Sequence, residues 1–160
     1  MIDLAFRRAL GEFATGVAVV TAQAPSGVLI GMTISSFNTV SLEPPLVLFS
    51  IDRQAQSLAG LQQAKGWAVN LLAREQKALS SRFARAQSDK WADVPHQAGH
   101  ENAPLLAGAL AQFECVPYAQ YDGGDHVIFV GRVVRYNVQP QPQAPLIFFR
   151  SHYHEILAAP

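Results

Sequence analysis

Two glycine-containing turns, each with hydrophobic runs on both sides, constrain the fold of this 160-residue chain more than any other feature. Pro25-Ser26-Gly27 divides "GVAVVTAQAPSGVLIGMTIS", and Asp122-Gly123-Gly124-Asp125 separates "LAQFECVPYAQY" from "HVIFVGRVVRYNV". β-Rich runs on either side of such turns predict β-hairpins. Because hairpins join antiparallel neighbours, the chain is expected to form an antiparallel sheet rather than a doubly wound parallel one.

Three further segments, "LVLFSI", "WAVNLLA" and "LIFFRSHY", predict strands and bring the expected total to six or seven. The polar and irregular stretch from Gln87 to Pro104 predicts a long surface loop. A small closed or partly closed barrel would hide the sheet edges. We therefore expect a single, mainly β domain over residues 1–160, with flanking helices.

The flanking helices are predicted from hydrophobic spacing. Ile2, Phe6, Leu10 and Phe13 recur as one face of an amphipathic helix, with Gly16 as its expected end. The segments "AQSLAGLQQAK" and "REQKALSSRFARA" predict two further short helices.

Composition limits the possible function. Hydrophobic residues make up 49% of the chain and charged residues only 15%, which favours self-association. The formal net charge is zero, so electrostatic binding to nucleic acid or to a membrane is not favoured. Cys115, the only cysteine, excludes an internal disulfide, and its strand-like context predicts a buried or half-buried thiol. No secretory signal or membrane-spanning run is apparent, so we expect a cytoplasmic protein.

Several common chemistries lack their motifs. Neither of the glycine-rich phosphate-binding fingerprints is present, nor is a serine nucleophile elbow. His152 and His154 share a strand face but have no third ligand nearby, and Asp122 and Asp125 are typical turn residues. Metal-dependent and hydrolytic functions are therefore disfavoured.

A cluster of short polar side chains follows an apolar strand in "GMTISSF". Such hydroxyls and backbone N–H groups at a strand end suit a phosphate or the polar edge of a ring. Each residue alone has a structural explanation: a strand end, a helix N-cap, a buried hydrogen-bond partner or a surface charge. Their combination in a sparsely charged chain predicts a ligand site. The candidates are Thr33, Ser35, Ser36, Ser50, Arg53, Ser57, Asn70 and Arg82.

Four segments, in order, resemble the flavin reductase family: "FRRALGEFATGVAVVTA", "GMTISSFNTVSLEPPLVLFSID", "WAVNLLAREQKALSSRFA" and "GGDHVIFVGRV". The resemblance extends from about Phe6 to Tyr153. Members of that family are the small reductase components of two-component flavin-dependent monooxygenases. The resemblance implies an antiparallel, Greek-key, FMN-binding split β-barrel and a homodimer with flavin near its interface. It further implies reduction of FMN or FAD by NADH or NADPH, and delivery of reduced flavin to a separate oxygenase.

The resemblance also implies roles for individual residues. The flavin ring and ribityl chain would be lined by Met32, Thr33, Ser35 and Ser36. The ring and phosphate would be flanked by Ser50, Ile51, Asp52 and Arg53, with Ser57 close by. A further wall would come from Asn70, Leu71 and Leu72, and the phosphate end would be reached by Arg82 and Phe83. His126, the catalytic candidate, would face the ring where nicotinamide stacks, and Tyr153 would complete the cofactor-binding set.

Two positions depart from the family pattern. Ser151 stands where relatives tend to have glycine, which alters the expected nicotinamide pocket. Asn38 replaces a commoner small hydroxyl residue near the flavin edge.

Hydride transfer is chemistry of the cofactors, so the protein is expected to supply stacking, alignment and charge. No separate nucleotide-binding domain fits in this length, so nicotinamide would share the flavin cleft, with flavin as a diffusible substrate. Three alternatives remain open: an oxidase of the pyridoxamine-phosphate type or another split-barrel enzyme with tightly bound FMN, an FMN electron carrier that does not use nicotinamide, and a barrel interaction module without a cofactor. The preferred flavin, the preferred nicotinamide and the partner oxygenase also stay open.

Overall fold

A computed structural model describes residues 3–87, 89–141 and 143–156. The helices in these ranges are α1 (Leu4–Gly11), α2 (Leu58–Gln63) and α3 (Lys77–Phe83), with 3-10 turns at Arg74–Gln76 and His100–Asn102. The strands are β1 (Thr15–Gly16), β2 (Ala18–Gln23), β3 (Leu29–Ile34), β4 (Asn38–Leu42), β5 (Pro45–Asp52), β6 (Trp67–Leu71), β7 (His96–Ala98), β8 (Pro104–Leu106), β9 (Ala111–Gly123), β10 (His126–Val138), β11 (Ile147–Phe149) and β12 (His152–His154). None of the helices described here is long and apolar enough to cross a membrane.

The main sheet has seven strands in the order β3-β2-β6-β9-β10-β5-β4, and every neighbouring pair is antiparallel. Both predicted hairpins are present in it, as β2–β3 and β9–β10. Gly27 and Gly124 have φ values of +88° and +75° in the two turns, a backbone conformation that favours glycine. The antiparallel prediction is confirmed.

The sheet curls around an aromatic core. Phe49, Trp67 and Phe129 are fully buried, and the Phe49 and Phe129 rings stack with their centroids 5.2 Å apart. The Trp67 ring meets both edge-on, and its Nε1 donates a hydrogen bond to the carbonyl of Leu61, which satisfies its one polar group. β3 and β4 remain at the two sheet edges, so the barrel is split rather than continuous. A mainly β split barrel is therefore confirmed.

α1 differs from its prediction in two respects, the residue at which it ends and the exposure of its apolar side chains. The helix ends at Gly11, and Gly16 instead lies in β1, paired with Ile147. The chain leaves the helix early because the backbone N–H of Arg150 donates to the Gly11 carbonyl, drawing the next residues toward the C-terminal strands. Phe6, Leu10 and Phe13 are 59–78% exposed rather than packed on the barrel. Ile2 lies outside the described residues.

Two other segment predictions were wrong in detail. The predicted loop of residues 87–104 contains β7, which pairs with β8, although Ser88 lies outside the described residues. The expected last strand is a hairpin, β11–β12, because Arg150 and Ser151 turn the chain with φ values of +49° and +65°. The short edge strand β4 was not predicted, and its pairing with β5 extends the sheet.

Candidate functional site

A cleft with a volume of about 560 Å³ opens where β3, β5 and α3 converge. One wall is β3 with Ser35 and Ser36, and the floor is the end of β5 with the turn before α2. The opposite wall comes from Phe83 and the segment that follows α3, and His126 stands at the start of β10. The volume lies within the range of small-molecule binding sites.

The cleft brings together ten of the predicted site residues: Met32, Thr33, Ser35, Ser36, Ser50, Ile51, Asp52, Ser57, Phe83 and His126. The predicted residues that lie outside its lining are Arg53, Asn70, Leu71, Leu72, Arg82 and Tyr153.

Two of the clustered hydroxyls hold the cleft walls in place. Thr33 Oγ1 donates to the Ser80 carbonyl at 2.6 Å, joining β3 to α3. Ser36 Oγ donates to the Ser50 carbonyl at 3.2 Å and accepts from the Ser50 N–H at 3.0 Å, joining the end of β3 to β5. These bonds across the open side of the barrel fix the width of the cleft.

The other three hydroxyls are available to a ligand. Ser35, Ser50 and Ser57 side chains make no hydrogen bond to any residue that the structure describes. Ser57 occupies the N-cap position of α2, yet its hydroxyl makes no capping bond. A ligand with several acceptors along one edge would satisfy these donors.

Asn70, Leu71 and Leu72 lie outside the lining of this cleft and pack within the barrel. The buried Asn70 amide donates to the Val19 carbonyl and Thr21 Oγ1, both at 3.1 Å, and accepts from the Leu106 N–H at 2.9 Å. Its hydrogen-bonding groups are therefore used inside the protein, as expected for a buried polar side chain. Leu71 packs against the barrel core, and Leu72 is buried in a second cluster behind it.

The two arginines predicted near a phosphate bond to the protein. Arg53 Nε donates to the Gly124 carbonyl at 2.7 Å and Nη2 to Asp122 at 2.5 Å, which fastens the end of β5 to the β9–β10 turn. Arg82 Nη1 donates to the Ala92 carbonyl at 2.5 Å and holds the segment after α3. Both guanidinium groups are thus engaged by protein groups, and neither residue is part of the cleft lining.

His126 is positioned from two sides. It pairs with Asp52 in the β5–β10 register, and its Nδ1 lies 2.7 Å from Asp125 Oδ1. The hydrogen bond to His126 lowers the pKa of Asp125, so the carboxylate is charged at neutral pH. With Nδ1 engaged, Nε2 is the ring nitrogen available to a ligand.

Tyr153 reaches the cleft only through α3. Its hydroxyl lies 2.7 Å from Ser80 Oγ, and the Ser80 carbonyl accepts the bond from Thr33. Tyr153 thereby ties the C-terminal hairpin to the hydroxyl wall.

Two cleft residues, Lys90 and Trp91, were missed because they lie in the segment predicted to be a surface loop. Trp91 stacks edge-on against Phe83 at 4.8 Å and donates from Nε1 to the Leu29 carbonyl at 3.2 Å. This packing needs Gly31, since a Cβ there would lie 2.4 Å from the Phe83 ring. The sequence did contain one sign that this segment packs against the protein, a tryptophan in a polar stretch. So large an apolar side chain is normally at least partly buried.

The arrangement suits a planar polar ligand that brings its own reactivity. Hydroxyl groups line the β3 wall and the floor, aromatic rings form the opposite wall, and an oriented imidazole stands beside them. No group of three or more potential metal ligands occurs in the described ranges. A flavin fits this donor set, because its ring edge carries acceptors that the three available hydroxyls can bond.

Comparison with known proteins agrees with this geometry. Residues 10–157 match the flavin reductase like domain. An FMN reductase (NADH), SmoA, from Agrobacterium fabrum is 45% identical over 81% of this chain and 74% of that protein. The monooxygenase reductase subunit HsaB from Rhodococcus jostii is 37% identical over 92% of this chain and 75% of that protein.

A solved structure shares the fold. The NADH:FAD oxidoreductase SgcE6 of Streptomyces globisporus, in complex with NAD and FAD fragments, superposes with a TM-score of 0.91 and 34% identity. The match covers 98% of this chain and 96% of that protein. The match of nearly the whole chain to one domain family, together with these relatives, shows that the chain belongs to the flavin reductase family.

Proposed function

We propose that this chain is an NADH-dependent flavin reductase that reduces FMN or FAD and supplies the reduced flavin to a separate monooxygenase. The observation that carries this proposal is the row of available hydroxyls, Ser35, Ser50 and Ser57, in a cleft that also contains an oriented His126. The relatives named FMN reductase (NADH) and monooxygenase reductase subunit support both halves of the proposal.

A bound flavin supplies the hydride-acceptor chemistry. The protein contributes binding and alignment: the three hydroxyls bond the polar ring edge, while the Thr33 and Ser36 bonds keep the walls at a fixed separation. Alignment of the two reactants lowers the entropic part of the barrier.

His126 is the residue proposed to contact the nicotinamide dinucleotide. Asp125 holds Nδ1, so Nε2 can bond the carboxamide or a phosphate of the dinucleotide. Flavin and nicotinamide are proposed to share this cleft, with flavin exchanging as a substrate.

We propose that the working form is a homodimer. Large apolar side chains are exposed on α1, just after it and on the β9–β10 ribbon, including Phe6 at 61%, Phe13 at 78%, Tyr136 at 74% and Val138 at 62%. So much apolar surface is unusual for a monomer, and a second copy would bury it. We also place the enzyme in the cytoplasm, where nicotinamide dinucleotides are available.

Steady-state oxidation of NADH and NADPH with FMN, FAD and riboflavin tests the proposal. Protein freed of small molecules by gel filtration should be colourless and should oxidise NADH only when flavin is added. Yellow protein that keeps its flavin through gel filtration would instead indicate a prosthetic group. Flavin binding without NADH oxidation would indicate an electron carrier.

A further inference from the structure

We infer that Ser80, a buried residue of α3 outside the cleft lining, is a positioning residue for flavin binding. Its side chain bonds to the C-terminal hairpin and its carbonyl bonds to β3, so loss of its hydroxyl should weaken flavin binding although Ser80 does not touch the flavin. The inference rests on the proposed function, and it concerns a residue that fixes the site rather than one that lines it.

β3 depends on other elements for its exact position. It lies at the edge of the main sheet and pairs with β2 alone among the strands that the structure describes. The bond from Thr33 Oγ1 to the Ser80 carbonyl, at 2.6 Å, joins β3 to α3. Thr33 comes two residues before Ser35, whose hydroxyl is available to a ligand. The placement of that hydroxyl therefore depends on where α3 holds the Ser80 carbonyl.

The Ser80 carbonyl is fixed by the last turn of α3. It accepts the backbone N–H of Ala84 at 3.1 Å as well as Thr33 Oγ1, so both of its lone pairs are used. The Ser80 side chain is fully buried, and its Oγ lies 2.7 Å from the Tyr153 hydroxyl. Ser80 thus makes one bond in each direction, to the C-terminal hairpin through its side chain and to β3 through its carbonyl.

Tyr153 is a well-held anchor for this bond. Its ring meets the Phe148 ring edge-on, with the centroids 5.8 Å apart, and Lys77 Nζ lies 5.4 Å from the Tyr153 ring centroid. Lys77 and Ser80 are three residues apart, so both face the tyrosine from the same side of α3. β12 pairs with β11, and β11 pairs with β1, so the hairpin that carries Tyr153 is itself held by the chain beside it.

Neither Ser80 nor Tyr153 lines the cleft, so their bond acts on the flavin only through β3. Removal of the Ser80 hydroxyl releases the turn of α3 that carries the Ser80 carbonyl. The β3 wall is then less fixed in the free protein, and a flavin must order it on binding, which weakens the affinity.

The test is to measure the Kd of FMN by quenching of flavin fluorescence, for the wild type, Ser80→Ala and Ser81→Ala. We expect Ser80→Ala to raise the Kd about threefold to tenfold, the range for one hydrogen bond between neutral groups. In turnover the KM for FMN should rise by the same factor, while kcat and the KM for NADH should change less than about twofold. Ser81 is the next residue of α3 and lies outside the cleft lining, so Ser81→Ala is the matched control and should alter none of these values.

Tyr153→Phe removes the same hydrogen bond from its other side and keeps the aromatic ring, so it serves as the test even if Ser80→Ala does not fold. It should raise the Kd of FMN by a similar factor. The double variant Ser80→Ala/Tyr153→Phe should bind FMN no more weakly than the weaker-binding single variant, because both changes remove one bond. Losses that multiply in the double variant would contradict the inference, since the two hydroxyls would then act independently.

Two further results would overturn the inference. An unchanged Kd of FMN in Ser80→Ala, with or without a lower Tm, would limit the bond to a role in folding. A rise in the KM for NADH in place of the KM for FMN would place the effect at the nicotinamide instead. Wild-type protein that binds no flavin would refute the proposed function itself, which is a different outcome from wild type and Ser80→Ala that bind FMN equally well.

Discussion

Ser151 has a left-handed backbone conformation, with φ of +65°, in the turn between β11 and β12. A residue with a Cβ is strained there by about 1–2 kcal/mol, and glycine is not. The family resemblance implied glycine at this position, and glycine would avoid this cost. The turn nevertheless forms because β11 and β12 pair on both sides of it.

Ser151→Gly should therefore stabilise the protein. Part of the relieved strain is offset by the greater backbone entropy of glycine in the unfolded chain, which leaves about 0.5–1 kcal/mol. The expected rise in Tm is about 1–4 °C, measured by calorimetry. Ser26→Gly is the control, since Ser26 also lies in a hairpin turn but does not itself have a positive φ. A Tm for Ser151→Gly at or below that of the wild type would contradict the described turn.

Gly31 controls how closely Phe83 and Trp91 approach β3. In Gly31→Ala the new methyl group would lie 2.4 Å from the buried Phe83 ring and 3.0 Å from Trp91, so the wall must move. We expect a loss of about 1–3 kcal/mol in unfolding free energy, measured with urea, together with weaker flavin binding. Gly16→Ala is the matched control, because its Cβ would meet no atom within 4 Å. Equal stability of the two variants would show that Phe83 does not pack on Gly31.

At the scale of elements, the long β9–β10 hairpin encloses the only cysteine. Cys115 on β9 is 1% exposed, and a Cβ on Gly131 of β10 would lie 2.9 Å from the Cys115 Cβ. Burial, and then the neighbouring Glu114 carboxylate, raise the pKa of the Cys115 thiol to about 12. The reactive thiolate is therefore nearly absent at neutral pH.

The native protein should consequently react with a maleimide only as fast as it unfolds. In denaturant, one thiol per chain should react at once. Flavin should slow the reaction of the native protein further, because a ligand that binds the folded state stabilises it. Reaction of the folded protein at the rate of free cysteine would mean that β9 is not packed as described.

The two long hairpins could be predicted because their turns contain glycine and their strands are rich in β-branched residues. The C-terminal hairpin could not, because Arg150 and Ser151 are not typical turn residues and its bend depends on pairing of β11 with β1. β4 was likewise missed, since its residues are mostly exposed and its strand conformation depends on β5.

The site was predictable as a location but not in its individual contacts. The hydroxyl cluster does lie in the cleft, yet Thr33 is engaged by Ser80, which is 47 residues away, and Ser36 by Ser50. Partners so distant in sequence are brought together only by the fold, so local pattern could not separate the engaged hydroxyls from the available ones. Lys90 was missed for the same reason, because its neighbours Gly31 and Phe83 belong to other elements.

At the scale of the whole molecule, the exposed apolar surface predicts association. Sedimentation equilibrium should give twice the chain mass of 17.4 kDa, and Tyr136→Glu should shift the equilibrium toward monomer. Tyr136 is 74% exposed in a single chain, so the substitution should spare the fold of the monomer. Gln97→Glu, which adds the same charge on β7, should leave the mass unchanged. A wild-type protein that remains monomeric at high concentration would refute the dimer.

The proposed reaction requires that this cleft align a flavin with a nicotinamide for direct hydride transfer. Anaerobic stopped-flow mixing of the protein and FMN with NADH tests it, with absorbance of the oxidised flavin as the signal. We expect rapid loss of that absorbance at a rate that saturates with NADH and falls strongly in His126→Ala. Loss of absorbance no faster than in the absence of protein would contradict it.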